Sequence, residues 1–117
     1  MMKTRVLSGV RSTGNLHLGN YFGAIRNFIE MQEKHDSYFF IANLHALTTH
    51  PDPELLKKSV RATLVEYVAC GLDPEKCTLY VQSDIPEISE LYTLLNMQAY
   101  KGELEKCVSF KEKIKKG

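Results

Sequence analysis

The residues best able to do chemistry lie in one stretch, Ser8–Tyr21, reading Ser-Gly-Val-Arg-Ser-Thr-Gly-Asn-Leu-His-Leu-Gly-Asn-Tyr. It follows the apolar pair Val6-Leu7, which reads as a strand, and leads into a helical pattern. A glycine-bearing loop between strand and helix aims backbone N–H groups at an anion, and the helix dipole favours negative charge there. Gly19 lets a flat group approach the backbone. Arg11 adds a fixed cation and His17 a titratable donor to the same rim. The stretch reads as a phosphate or nucleotide site. It is neither a Gly-x-x-x-x-Gly-Lys-Ser/Thr loop nor a Gly-x-Gly-x-x-Gly fingerprint, since neither spacing occurs. The competing reading is a turn whose glycines carry no ligand, with His17 a solvated surface residue.

The elements that must position this loop follow from periodicity. Thr4–Ser8 reads as a short strand. From Leu18, the apolar Phe22, Ile25, Phe28 and Ile29 recur at helical steps, opposite Arg26, Glu30 and Glu33, and the pattern ends before His35. Tyr38-Phe39-Phe40-Ile41-Ala42 is a continuous apolar run, as in a strand buried on both faces. Asn43-Leu44-His45 reads as a polar break. Asp52 is placed as an N-cap with Pro53 in the first turn of a long helix. The buried stripe of that helix is Leu56, Val60, Thr63, Leu64, Tyr67 and Val68, and Gly71 ends it. Thr78–Val81 is a third strand. Asp84 and Glu87 stand at capping-box spacing before a third helix with the stripe Ile88, Leu91, Leu94 and Leu95. Gly102 interrupts, and Glu103–Lys113 reads as a shorter charged helix.

Strands and helices alternating in this way predict an α/β fold, a Rossmann-like parallel sheet with flanking helices joined by right-handed crossovers. Ligands of such sheets sit outside the carboxyl ends of the strands. That rim collects the Gly9–Gly19 loop, the Asn43–His45 break and the Gln82–Asp84 loop. Three strands make a thin sheet, so some apolar surface is expected to stay uncovered. The chain stops on Lys115-Lys116-Gly117 without a closing strand, which reads as truncation.

Composition narrows the class. The 117 residues are one domain's worth, and 44% hydrophobic with 25% charged residues is ordinary for a globular chain. A formal charge of +1 gives no field for non-specific nucleic-acid binding. No signal peptide and no membrane-length apolar run are visible. Cys70, Cys77 and Cys107 lack Cys-x-x-Cys spacing and read as reduced thiols of a cytosolic protein. The four histidines show no ligand spacing, so no protein-built metal site is assigned.

At Thr13-Gly14-Asn15-Leu16-His17-Leu18-Gly19-Asn20-Tyr21 the sequence resembles the His-Ile-Gly-His signature of class I aminoacyl-tRNA synthetases. The form His-Leu-Gly-Asn followed by Tyr is similar to the tryptophanyl branch. Further matches are His45-Ala46-Leu47-Thr48, Gly71-Leu72-Asp73-Pro74, Leu79-Tyr80-Val81-Gln82-Ser83, Pro86-Glu87 and Gly102-Glu103-Leu104 leading to Phe110-Lys111-Glu112-Lys113. An ordered series across the whole chain identifies it as the N-terminal part of such a catalytic domain. About 1–83 would be the first βαβαβ half and about 84–117 the start of a connecting, dimerising insertion.

The resemblance implies a two-step reaction. Tryptophan's carboxylate attacks the α-phosphorus of ATP, giving tryptophanyl-adenylate and pyrophosphate; the tryptophanyl group then passes to tRNA(Trp). Positioning and charge stabilisation dominate such chemistry. Mg²⁺ would be held mainly by the phosphates. By resemblance, His17 would stabilise charge as pyrophosphate departs. Arg11, Ser12 and Thr13 would line the phosphate and ribose side, and Gly19 and Asn20 would hold the adenosine. Lys111 and Lys113 would reach pyrophosphate, Lys113 in a catalytic role. Leu7 and His45 would border the tryptophan pocket at the strand ends. A homodimer in the cytoplasm, with no membrane contact, is implied as well.

The sequence departs from the family pattern at Arg11 and Ser12, where many relatives carry Gln and Pro. The second signature, Lys-Met-Ser-Lys-Ser, does not occur in these residues. The full reaction is therefore not expected of this chain by itself. Two readings from other classes stay beside this one: a small nucleotidyltransferase with a His-x-Gly-His loop, and a non-catalytic dimerisation module.

Overall fold

A run of alternating burial along Asp36–Ile41 places the core. In the computed structural model of the protein, which describes residues 3–12, 16–49 and 51–114 and leaves the Lys113 side chain aside, this run is the middle strand of a three-stranded sheet. The strands β1 (Arg5–Val10), β2 (Asp36–Ile41) and β3 (Thr78–Val81) lie in the order β1-β2-β3, and both neighbouring pairs are parallel. The expected parallel α/β architecture is thus observed.

Between β1 and β2 the chain forms α1 (Leu18–Asn20), a π turn (Tyr21–Ile25) and α2 (Arg26–Lys34). Between β2 and β3 it forms α3 (Asn43–Ala46), a 3₁₀ turn (Leu47–Thr49) and α4 (Pro53–Ala69). A 3₁₀ turn (Gln82–Asp84), α5 (Pro86–Gln98), α6 (Lys101–Leu104) and α7 (Val108–Ile114) follow. The chain divides into two compact units, Met1–Ile85 and Pro86–Gly117.

In the first unit, the parallel register aligns Ser8, Phe39 and Leu79, and likewise Val10, Ile41 and Val81, on one face of the sheet. Ile25 and Phe28 from the first helical run and Tyr67 from α4 cluster on that face with Phe39 and Ile41. The rings of Phe28 and Phe39 stack at 4.3 Å, and Tyr67 meets Phe28 edge-on. Each such side chain contributes about 1.5–3 kcal/mol on burial. The opposite face carries Leu7, Gly9, Tyr38, Phe40 and Tyr80, and Leu7 is 65% exposed. The expectation of two-sided burial for Tyr38–Ala42 therefore holds on one face only.

Local chemistry explains where the long elements stop. Asp52 Oδ1 accepts the N–H groups of Glu54 and Leu55, capping α4 as its spacing predicts. Gly71 adopts φ 113°, the left-handed conformation that ends the helix. Buried Gln32 then ties α2 to this turn. Its Nε2 donates to the Gly71 carbonyl at 3.0 Å, and its Oε1 accepts the Asp73 N–H at 2.9 Å.

Five local readings need correction. Leu64 and Val68, read into the buried stripe of α4, are exposed. Asn43–His45 is a short helix, because the Thr48 and Thr49 hydroxyls donate to the carbonyls of His45 and Ala46 and close its end. The first helix contains a π turn, within which Phe22 is exposed rather than part of the core stripe. Asp84 closes the 3₁₀ turn, and α5 opens beyond it at Pro86. Glu103–Lys113 is two short helices separated at Glu105–Cys107, and Gly102 lies inside the first. In the second unit, the Leu91, Leu94 and Leu95 stripe of α5 is exposed. No helix among the described residues is long and apolar enough to cross a membrane.

Candidate functional site

The carboxyl end of β1 delivers the loop. The Val10 carbonyl accepts the Ala42 N–H at 2.9 Å, so the ladder with β2 holds until the last residue of β1. Beneath it, the Tyr67 hydroxyl comes close to the Val10 backbone without completing a hydrogen bond. Burial pushes this phenol well above its ordinary range.

Arg11 and Ser12 then turn inward. The Arg11 Nη2 donates to Thr49 Oγ1 at 3.2 Å, which fixes the guanidinium against the 3₁₀ turn. Ser12 is only 5% exposed. Both residues line a cavity of about 430 Å³ whose other walls include Ala46, Thr49, Leu55 and Leu56. Among the described residues, Arg11 Nε and Ser12 Oγ are buried without a hydrogen-bond partner. Both can donate, so an acceptor-rich group suits the cavity. Thr13 lies outside the described residues.

The chain is anchored again at Leu16, whose side chain packs on the core and whose N–H donates to Glu66 Oε1 at 3.2 Å. His17 follows as N-cap of α1 in a reciprocal capping box. Its Nδ1 accepts the Asn20 N–H, and its own N–H donates to Asn20 Oδ1, each at 3.3 Å. Because Nδ1 accepts, it carries no proton, and the neutral ring holds its proton on Nε2. The exposed imidazole thus presents a donor away from the helix. A Cβ on Gly19 would come within 3.0 Å of His17 Cε1 and Nδ1. A side chain at this position would crowd the His17 ring where it now lies across the turn. Leu16, His17, Leu18, Gly19 and Tyr21 line an open concavity of about 670 Å³. Asn20 spends its Oδ1 on the cap, which leaves its amide nitrogen as donor.

The other two loops of the rim meet directly. Asn43 Nδ2 donates to Ser83 Oγ at 2.8 Å, and the Ser83 N–H donates to Asn43 Oδ1 at 3.1 Å. His45 is exposed in the last turn of α3. Leu7 stands in the middle of β1 on the open face rather than at a strand end. Lys111 is exposed on α7 and belongs to the second unit with Lys113, whose side chain lies outside the described residues.

The loop residues therefore separate into two groups. His17, Gly19 and Asn20 form one turn; Arg11 and Ser12 share another concavity with Thr49. Sequence reading passed over Glu66, Thr49 and the Asn43–Ser83 pair. Glu66 did carry a signal: it is a carboxylate beside Thr63 and Tyr67, which are 2% and 0% exposed on the buried stripe of α4.

Comparison with known proteins adds an independent line. The family model for class I tRNA synthetases of the W and Y group matches residues 2–117. The chain is 62% identical over 111 residues to the tryptophan–tRNA ligase of Porphyromonas gingivalis, covering 95% of this chain and 34% of that protein. The tryptophanyl-tRNA synthetase of Campylobacter jejuni complexed with ADP and tryptophan superposes with TM-score 0.87 at 42% identity, over 97% of this chain and 36% of that one. The synthetase of Mycoplasma pneumoniae gives TM-score 0.89 at 38% identity, over 100% of this chain and 34% of that one. The chain spans about a third of the length of the relatives it matches. The nucleotidyltransferase and dimerisation-module readings find no support among these relatives.

Proposed function

Since the chain belongs to the class I tRNA synthetases of the tryptophan and tyrosine group, we propose that it supplies the first, nucleotide-handling part of a tryptophan–tRNA ligase. The activity is ATP-dependent formation of tryptophanyl-adenylate, followed by transfer to tRNA(Trp). The observation that carries this reading is the His17 turn: an exposed imidazole whose Nδ1 is held by the Asn20 N–H beside Gly19, which leaves Nε2–H as its free donor. A fixed neutral donor of this kind stabilises charge developing on phosphate oxygens without reorganising.

In this reading His17 bonds the phosphate chain, while Gly19 and the Asn20 amide nitrogen receive the adenosine. Arg11, Ser12 and Thr13 serve the phosphate and ribose side, where Arg11 and Ser12 offer donors. Leu7 and His45 border the tryptophan side, and Lys111 and Lys113 serve pyrophosphate. ATP is the substrate, and Mg²⁺ enters with its phosphates. A homodimer and a cytoplasmic location complete the proposal. The relative solved with ADP and tryptophan supports nucleotide and tryptophan as ligands.

Isothermal titration of the chain with ATP·Mg²⁺, with and without tryptophan, tests this. Weak ATP binding that disappears in Gly19→Leu supports it. A folded wild-type chain that takes up no heat with ATP contradicts it.

A further inference from the structure

We propose that Glu66 is a positioning residue for the His17 turn: from α4, its carboxylate holds the backbone of Leu16 and thereby sets where the imidazole stands. The consequence for nucleotide binding rests on the function proposed above; the positioning itself does not.

The argument starts from an accounting of donors. Leu16 lies between the loop and α1, where neither a strand ladder nor a helix offers its N–H an acceptor. Glu66 Oε1 provides that acceptor at 3.2 Å, across fifty positions of sequence. The next donor, the N–H of His17, goes to Asn20 Oδ1. Two consecutive N–H groups are thus held by side-chain oxygens, one from the rigid body of the unit and one from the turn itself. The first fixes the turn to the fold, and the second fixes its internal shape.

Glu66 is well placed to act as the fixed end. It sits on the 17-residue helix α4 between the buried Thr63 and Tyr67, and the latter packs into the core beneath β1. Its other oxygen, Oε2, is buried with no partner among the described residues. A partly buried carboxylate with one oxygen unsatisfied costs stability, so packing by itself favours an apolar residue at this position. What the carboxylate provides that leucine cannot is the acceptor for Leu16. Leu16 also lines the concavity shared with His17 and Gly19, so any slippage at its backbone passes directly into that surface.

The test compares Glu66→Gln, which keeps a carbonyl acceptor, with Glu66→Leu, which keeps the volume and removes it. Three quantities are read on the full chain: amide exchange at Leu16 and Asn20 by NMR, ATP affinity, and urea stability. Glu66→Leu is expected to speed Leu16 and Asn20 exchange and weaken ATP about tenfold while urea stability is kept, with Glu66→Gln close to wild type, as loss of one hydrogen bond to a charged acceptor implies. Unchanged Leu16 exchange in Glu66→Leu overturns the positioning role. Faster exchange with unchanged ATP affinity overturns its link to the site. A wild-type chain that does not bind ATP contradicts the proposed function instead, and the exchange comparison then still decides whether Glu66 sets the turn.

Discussion

The two faces of the sheet are built from the same three strands and differ sharply in what they meet. One face, through Phe39 and Ile41, is closed by Ile25, Phe28 and Tyr67. The other carries Leu7, Gly9, Tyr38, Phe40 and Tyr80, none of which joins the core cluster among the described residues, and its aromatic side chains lean on each other and on Arg5. Both faces are apolar in sequence. The difference teaches that apolar pattern marks what a strand can bury, while the path of the helices decides what it does bury. Crossovers of one hand that run in one direction along a sheet put their helices on the same side.

Substitutions can break this contrast, starting with the largest. Phe39→Ala removes a fully buried ring stacked on Phe28 and is expected to cost about 3–5 kcal/mol in urea unfolding. Leu7→Ala, on the neighbouring strand but the open face, is expected to cost no more than about 0.5 kcal/mol. Equal losses would mean that the two faces are equally buried in solution.

Gly9→Ala sharpens the comparison from the open side. A Cβ at Gly9 would fall 2.7 Å from the Phe40 ring and from its backbone oxygen. Strand movement is the only relief for the backbone contact, so a loss of about 1–3 kcal/mol is expected. A neutral result would show that Phe40 does not lie over Gly9.

Tyr67→Phe is expected to act in the opposite direction. The hydroxyl is buried with no hydrogen-bond partner among the described residues, so its removal is expected to stabilise the fold by about 1 kcal/mol. Its pH dependence has a definite sign. Burial raises this phenol in the folded state, so the folded chain holds the proton more tightly than the unfolded one. Stability is then complete below the unfolded phenol's pKa, about 10, and falls as pH rises past it. Tyr67→Phe should lose stability less steeply above that pH in alkaline urea titrations.

Much of this was legible before the fold was seen, where one residue type has one physical use. Asp52 before Pro53 reads as a cap, Gly71 as a left-handed stop and Thr78–Val81 as a strand, and each is observed there. The signature turn reads as a ligand loop, but the sequence does not show what stands beside its glycine. The ring of His17, two residues earlier and folded back by Asn20, lies 3.0 Å from where a Gly19 Cβ would stand. What stayed hidden depends on partners distant in sequence. Asn43 looks like a helix breaker until Ser83, forty positions on, takes up its side chain. Glu66 looks like a surface charge until Leu16 is seen against it. Arg11 and His17 read as one rim because the sequence cannot show that Ser12 turns inward between them.

The most direct test of the central claim is the tautomer of His17, read from long-range ¹H–¹⁵N correlations of its ring with and without ATP·Mg²⁺. The capping box requires the proton on Nε2 in the neutral ring, and the proposed role requires that nitrogen's resonance to move when ATP is added. A neutral ring protonated on Nδ1 would contradict the geometry of the turn, and an Nε2 signal indifferent to saturating ATP would contradict the function assigned to it.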